Sequence, residues 1–271
     1  SESLALVDAA NERGLDVTID QYPYPASSTG LRAVFPRWSL DGGGPALRAR
    51  LDDPEERARV KEGIVYALIN ERGGNDASRV HLAQCRWDPS LNGLNLEDVL
   101  RQREMELTIE NAAELIMDFE YAGGCQCVYH AMSMQDVDRI MVHARTMIAS
   151  DGGVMAPGDN SPHPRNYGSF ARVLGVFVRE RGLLPLATAI HKMTMMPADR
   201  INLEDRGRIE VGAIADIAVF DPDEIIDTAT FEEPHQYALG VYHVFVNGEA
   251  VLLDKVMTGA RPGRVLRANR P

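Results

Sequence analysis

The sequence predicts an α/β protein with parallel strands that present functional side chains at their C-terminal ends, as in a parallel α/β barrel. Three observations carry this. A helix with Leu4, Val7 and Ala10 on one face runs directly into a strand, which is half of the repeating unit of parallel sheets. A second short apolar run, Met147 to Ser150, delivers Asp151 into a loop that opens with Gly152-Gly153 and carries His163 and Arg165. In a parallel barrel the end of such a strand and the loop after it form the mouth of the site. Between the two strands, residues 28–124 hold short elements of a different rhythm, too long a stretch for an ordinary connection, and they are expected to form an inserted subdomain.

Taken in order, Ser3 is a fair N-cap for the first helix and Gly14 ends it. Val17 to Tyr22 is β-branched and aromatic, hence a strand, and Pro23 and Pro25 stop it, leaving Ala26 to Leu31 as loop. Asp53-Pro54-Glu55-Glu56 is a helix start, with proline in the first turn and acids at the positive end of the dipole. That helix carries Val60, Ile64 and Leu68 to a stop at Gly73-Gly74. Arg79 to Gln84 reads as a strand, Asn95 caps a helix to Arg103, and Thr108 begins another that ends at Gly123-Gly124.

The α/β rhythm is expected to resume with a strand from Cys125 to Tyr129. Ser133 to Asp136 resembles a capping box and heads a helix with Val137, Ile140 and Met141 inward. After the Asp151 strand, Phe170 to Arg181 and Leu184 to Met193 are helical, with a third short helix near Pro197. Gly207 to Phe220 and Val241 to Lys255 have strand composition, and Asn247-Gly248 in the second is a strong hairpin signal. Gly259 to Arg267 shows no periodicity. The expected organisation is a barrel helix and strand over 1–27, the insertion over 28–124, closing strands and helices over 125–200, and a C-terminal β segment over 201–271.

Bulk properties exclude several functions. Apolar residues at 45% and charged residues at 25% are ordinary for a globular chain, and the net charge of −12 argues against nucleic acid and anionic membrane as partners. No apolar run approaches the ~18 residues of a membrane span. Three cysteines are too few for a disulfide framework, so a reducing, cytoplasmic setting is expected, with Cys125 and Cys127 as small buried apolar residues. The chain opens at Ser1 directly on an amphipathic helix, which reads as the back portion of a longer protein. Asp151, at the tip of an apolar strand, is solvated, caps the next turn or does chemistry, and residue types alone leave these open.

Seven segments in one order carry a resemblance. Asp20 to Tyr24 with Ala26 to Gly30, Ser150-Asp151-Gly152, His163 to Gly168, Lys192-Met193-Thr194 with Pro197-Ala198, Gly212 to Asp216, Pro234 to Tyr237 and Thr258 to Gly263 are similar to the N-acyl-D-amino-acid deacylases (D-aminoacylases) of the amidohydrolase superfamily. The resemblance spans nearly the whole chain and is weakest in the insertion. It implies the C-terminal part of an amidohydrolase-type (β/α) TIM barrel, with an inserted lid subdomain and a segment of a small β-sandwich. It also implies hydrolysis of N-acyl-D-amino acids at a site holding one or two zinc ions.

On that resemblance Asp151 matches the catalytic aspartate, which also reaches the metal, and such a carboxylate can take a proton from water and return it to the leaving amine. Arg165 matches the clamp for the substrate carboxylate, a task that suits a guanidinium fork. Tyr24 is expected as a substrate-facing donor or an amphipathic wall residue, and His163 as a loop residue that touches substrate or packs its turn, whereas Tyr22 is expected in the core. The family's other zinc ligands, an early His-x-His pair, a cysteine and two histidines, have no match among His81, His130, His143, His163, His191, His235 and His243. The chain alone is therefore expected to be inactive and to need a missing N-terminal half or another subunit. Two alternatives are a cyclic-amide hydrolase of the hydantoinase or dihydroorotase kind, and a non-catalytic amidohydrolase-like subunit.

Overall fold

The computed structural model describes residues 2–267. The strands among them are β1 (Ile19–Gln21), β2 (Ser27–Gly30), β3 (Val80–Gln84), β4 (Gln126–Tyr129), β5 (Thr146–Ile148), β6 (Ile217–Phe220), β7 (Val241–Val246), β8 (Glu249–Leu253) and β9 (Val256–Met257). They form three sheets. β1 and β5 pair in parallel, with Ile19 opposite Thr146 and Gln21 opposite Ile148. β2, β4 and β3 form an antiparallel sheet with β4 in the middle. The last four strands make an antiparallel meander, with β7 turning into β8 at Asn247-Gly248.

The first helix, Glu2–Glu12, is tied to β1 by Asn11, whose amide donates to the carbonyls of Val7 and Val17 at 2.9 Å each. Gly14 adopts φ +82°, the left-handed geometry that ends a helix without a Cβ penalty. Within residues 28–124, the Asp53 carboxylate accepts from the backbone N–H of Glu55 and Glu56 and starts the helix Pro54–Asn70. Asn95 and Asp98 form a reciprocal capping box on the helix Leu96–Gln102. Val60, Ile64 and Leu68 of the first of these pack with Leu82 of β3, Leu100, and Ile116 and Phe119 of the helix Ile109–Ala122 into one core. A second core joins Val137 and Met141 to Ile148 of β5, Val173, Phe177 and Ile225.

Several expectations change. Cys125 to Tyr129 does not resume a parallel rhythm: β4 is flanked on both edges by antiparallel partners, with a register shift between Leu82 and Gln84. A central strand buries both faces whichever way its neighbours run, so composition does not report direction. Ser27 to Gly30, expected as loop, is a strand because β4 offers it an edge. The helix Gly43–Asp52 was hidden by its glycine-rich start, although Leu47 and Leu51 bury one turn apart. Of Gly207 to Phe220 only the last four residues are strand; Gly207 and Gly212 take positive φ, and Ile209 and Val211 lie on the surface. Ser133 caps its helix through Gln135 N–H, while the Asp136 carboxylate turns to Arg139. The helix expected from Phe170 begins at Arg165 and passes into a π-helix over Val173–Glu180.

Cys85 and Cys125 are joined by a disulfide, which corrects the expectation of unbonded cysteines; Cys127 remains a buried thiol. The bond became possible because β3 and β4 lie side by side, a tertiary fact that cysteine count does not carry. Among the described residues no helix is long and apolar enough to cross a membrane.

The helix Pro54–Asn70 supplies a direct test of the first core. Ile64 is fully buried and Tyr66, two residues on, is 60% exposed. Ile64→Ala is expected to cost about 2–5 kcal/mol in urea unfolding, and Tyr66→Ala less than about 0.5 kcal/mol.

Candidate active site

β5 carries the chain into the site. Ala149 N–H donates to the Gln21 carbonyl at 2.9 Å, extending the parallel ladder one residue past the strand. Asp151 then takes φ +47°, a left-handed conformation that aspartate tolerates better than most residues and that aims its side chain off the sheet. Gly152 follows where the backbone meets the start of the helix Arg165–Arg172. A Cβ there would lie 2.9 Å from the Arg165 carbonyl oxygen and 3.0 Å from Asn166 Cα, so only glycine allows the approach. Gly153 N–H donates to Asn166 Oδ1 at 2.8 Å and holds the loop against the same helix.

This contact brings the two predicted charges together. Arg165 Nη2 lies 2.9 Å from Asp151 Oδ2; the arginine side chain is 9% exposed and the aspartate 65%. The guanidinium also lies over the Tyr22 ring, 4.7 Å from its centroid, and reaches the Ser28 carbonyl at 3.4 Å. It is thus held on three sides, while its charge partner stands in solvent.

His163 fixes where that arginine begins. Its ring is 1% exposed; Nε2 donates to the Ala26 carbonyl at 3.0 Å and Nδ1 accepts from Arg165 N–H at 3.0 Å. Both nitrogens are used by backbone, so the ring ties the helix start to the segment entering β2 and has no nitrogen left for a substrate. Burial pushes its pKa down to about 3, with the hydrogen bond to Ala26 opposing. His163 is neutral at physiological pH.

Tyr24 is only 2% exposed. Its hydroxyl donates to Asp227 Oδ2 at 3.4 Å, and Arg172 pairs with the same carboxylate at 3.1 Å while lying 4.8 Å over the Tyr24 ring. Burial raises the phenol far above its usual range. Tyr24 therefore braces the wall, and Tyr22, expected in the core, is the tyrosine beside Arg165. Burial raises the Tyr22 phenol, with Arg165 pulling the other way. The reason is Pro23: β1 ends at Gln21, so strand alternation does not extend across Tyr-Pro-Tyr. Asn166 and the Ser28 carbonyl were also missed, since neither residue type signals a role in an unpaired loop.

A cavity of about 710 Å³ opens beside these groups, lined by Asp20, Tyr22, Tyr24, Met132, Val137 and Asp151 among others. Three carboxylates, Asp20, Asp136 and Asp151, line it together with apolar side chains such as Val137 and Ile140. An exposed carboxylate paired with a guanidinium, next to a cavity of ligand size, suits proton transfer on a small molecule that itself carries negative charge.

The residues present do not make a zinc site. Among the described residues no group of three or more His, Cys, Asp or Glu side chains is placed to hold a metal ion, and zinc takes three or four ligands. Several histidines are engaged elsewhere: His143 with Asp8 and His235 with Tyr167 and Asn160, while His81 and His130 face each other and His130 Nε2 is buried without a hydrogen-bond partner among the described residues.

His163 gives a pH prediction. Its folded pKa lies below the unfolded value of 6.5, so the unfolded chain binds the proton better and stability falls as pH drops below 6.5 toward 3. Between pH 6.5 and roughly pH 5 this one ring is expected to remove about 2 kcal/mol. Urea titrations of the wild type and His163→Gln across that interval should differ in slope, the variant losing less.

The sequence profile of the amidohydrolase family matches residues 106–252, more than half of the chain. The chain is 36% identical over 265 residues to the D-aminoacylase of Alcaligenes xylosoxydans xylosoxydans, covering 98% of this chain and 44% of that protein. It is 36% identical over 268 residues to the N-acyl-D-glutamate deacylase of the same organism, with the same coverage. It therefore spans less than half the length of these curated relatives. Among solved structures, a D-aminoacylase studied for its binuclear metal center superposes with a TM-score of 0.73 at 35% identity, over 98% of this chain and 46% of that one. An N-acyl-D-glutamate deacylase from Bordetella bronchiseptica, complexed with zinc and a phosphonate inhibitor that mimics the tetrahedral intermediate, gives 0.73 at 32% identity, with the same coverage. The chain belongs to the amidohydrolase family.

Proposed function

We propose that this chain provides the acid–base carboxylate and the substrate clamp of an enzyme that hydrolyses N-acyl-D-amino acids to the free D-amino acid and a carboxylate. The observation that carries the reading is the Arg165–Asp151 pair, a shielded guanidinium matched to an exposed carboxylate that lines the cavity. A substrate carboxylate approaching Arg165 replaces Asp151 at no net change in charge, and the displaced Asp151 is then free to work on the amide. Asp151 takes a proton from the attacking water and delivers it to the amine nitrogen, which leaves poorly as an anion. Tyr22 supports the guanidinium from below and presents its hydroxyl beside it. A free carboxylate requirement favours linear N-acyl amino acids over cyclic amides, which lack one.

In this reading β1 and β5 are neighbouring strands of a (β/α) TIM barrel, residues 28–124 are a lid, and the C-terminal meander is part of a β-sandwich. The zinc implied by the family resemblance is not held by the described residues alone; Asp151 is the one implied ligand present, and the others belong to a part of the protein outside this chain. The partners in this reading are the N-acyl-D-amino acid and the polypeptide that completes the site.

In the full-length protein, Asp151→Asn is expected to lower kcat on an N-acetyl-D-amino acid by about 10²- to 10⁴-fold. Arg165→Lys should raise KM by about tenfold for that substrate and change little for its carboxamide analogue. Near-normal turnover of Asp151→Asn, or equal effects of Arg165→Lys on acid and carboxamide, would overturn the assignment. The isolated chain is expected to retain no stoichiometric zinc by elemental analysis and to leave N-acetyl-D-amino acids intact.

A further inference from the structure

We propose that the Cys85–Cys125 disulfide is a reversible modification site, opened by small thiols that carry a carboxylate and closed again by the reverse exchange with the corresponding small-molecule disulfide, and that it sets the stability of the segment it closes. The bond joins the end of β3 to the residue entering β4, closing a loop with a sequence separation of 40 that contains the helices Leu96–Gln102 and Ile109–Ala122. A crosslink across a loop of that length removes much of the unfolded chain's freedom, so losing it loosens the segment it closes.

Cys85 is fully buried and Cys125 is 5% exposed, so a reagent enters at Cys125, the member of the pair that lines a cavity, and charge points to the kind of reagent. A second cavity, about 370 Å³, lies at this end of the sheet, far in sequence from the Asp151 loop, and Cys125, Arg32, Arg86, Glu120 and Gln126 line it. Arg32 is committed to Glu120 at 2.7 Å. Arg86 is exposed and makes no ion pair among the described residues, so the cavity holds one uncompensated guanidinium beside the disulfide. That charge raises the local concentration of an anionic thiol and has no such effect on a neutral one.

The exchange balances with an external dithiol equivalent. One thiolate attacks the Cys125 sulfur, forming a mixed disulfide there and expelling Cys85 as thiolate. A second thiolate attacks the mixed disulfide, releasing the small-molecule disulfide and the second cysteine thiol. Cys127, although two residues from Cys125, does not serve as the internal nucleophile: it is fully buried, and burial pushes its thiol up to about 12.

The inference is independent of the hydrolase reading and is tested without activity. Alkylation of the denatured, air-purified chain followed by mass spectrometry should label one cysteine before reduction and three after. Three labels before reduction overturn the proposal. Rates of reduction by 3-mercaptopropionate and 2-mercaptoethanol are then compared in wild type and Arg86→Glu. The variant should react roughly threefold or more slowly with the anionic thiol and unchanged with the neutral one, and an equal effect on both removes Arg86 from the account. Reduction should lower Tm in the wild type and in Cys127→Ser, but not in the Cys85→Ser/Cys125→Ser double variant. A redox-insensitive Tm in Cys127→Ser, or in the wild type, overturns the stabilising role.

Discussion

The structure depends on a guanidinium kept from solvent that pairs, among the described residues, with a single carboxylate. Arg165 is buried where an unpaired charge is expensive, and Asp151 is its charge partner. Everything around the pair limits where the guanidinium can go: the Tyr22 ring beneath it, the Ser28 carbonyl at its edge and His163 on its backbone N–H. The aspartate is restrained far less, by one left-handed backbone residue ahead of two glycines. A fixed cation and a freer anion make a pair in which the anion is the member that exchanges.

The same contacts join the two halves of the fold. His163 reaches back to Ala26, Arg165 to Ser28 and Arg172 to the Pro23 carbonyl, all within the short stretch that leaves β1 and enters the antiparallel sheet. Asp227, nearly buried, pairs with Arg172 and receives the Tyr24 hydroxyl, so the segment before the C-terminal sheet is tied in at the same point. Gly168 lets these groups close up, since a Cβ there would sit 2.7 Å from both Tyr24 Oη and Asp227 Cβ. The site is thus the junction where three distant parts of the sequence are held by polar contacts, backed by a small apolar cluster of Ala26, Ala83 and Val128 with Phe231.

What was legible in the sequence was local. Asp53 and Asn95 announce their helices because a cap acts within three residues, and Asn247-Gly248 announces its turn because only certain residues accept positive φ. Asp151 was conspicuous as a charge following apolar residues. What was not legible was set by distant neighbours. The direction of β4 depends on β2 and β3, the bond between Cys85 and Cys125 depends on that pairing, and the placement of Tyr22 rather than Tyr24 beside Arg165 depends on where Pro23 ends the strand. His163 reads from sequence as either a substrate contact or a turn-packing residue, and its two backbone partners show it to be a fastener.

The most direct test is a crystal structure of the full-length protein with a non-hydrolysable N-acyl-D-amino-acid analogue bound. The account predicts the α-carboxylate of the analogue within hydrogen-bond distance of Arg165, with Asp151 released from the guanidinium and turned to the amide. An analogue carboxylate bound elsewhere, with the Arg165–Asp151 pair unbroken, would contradict it.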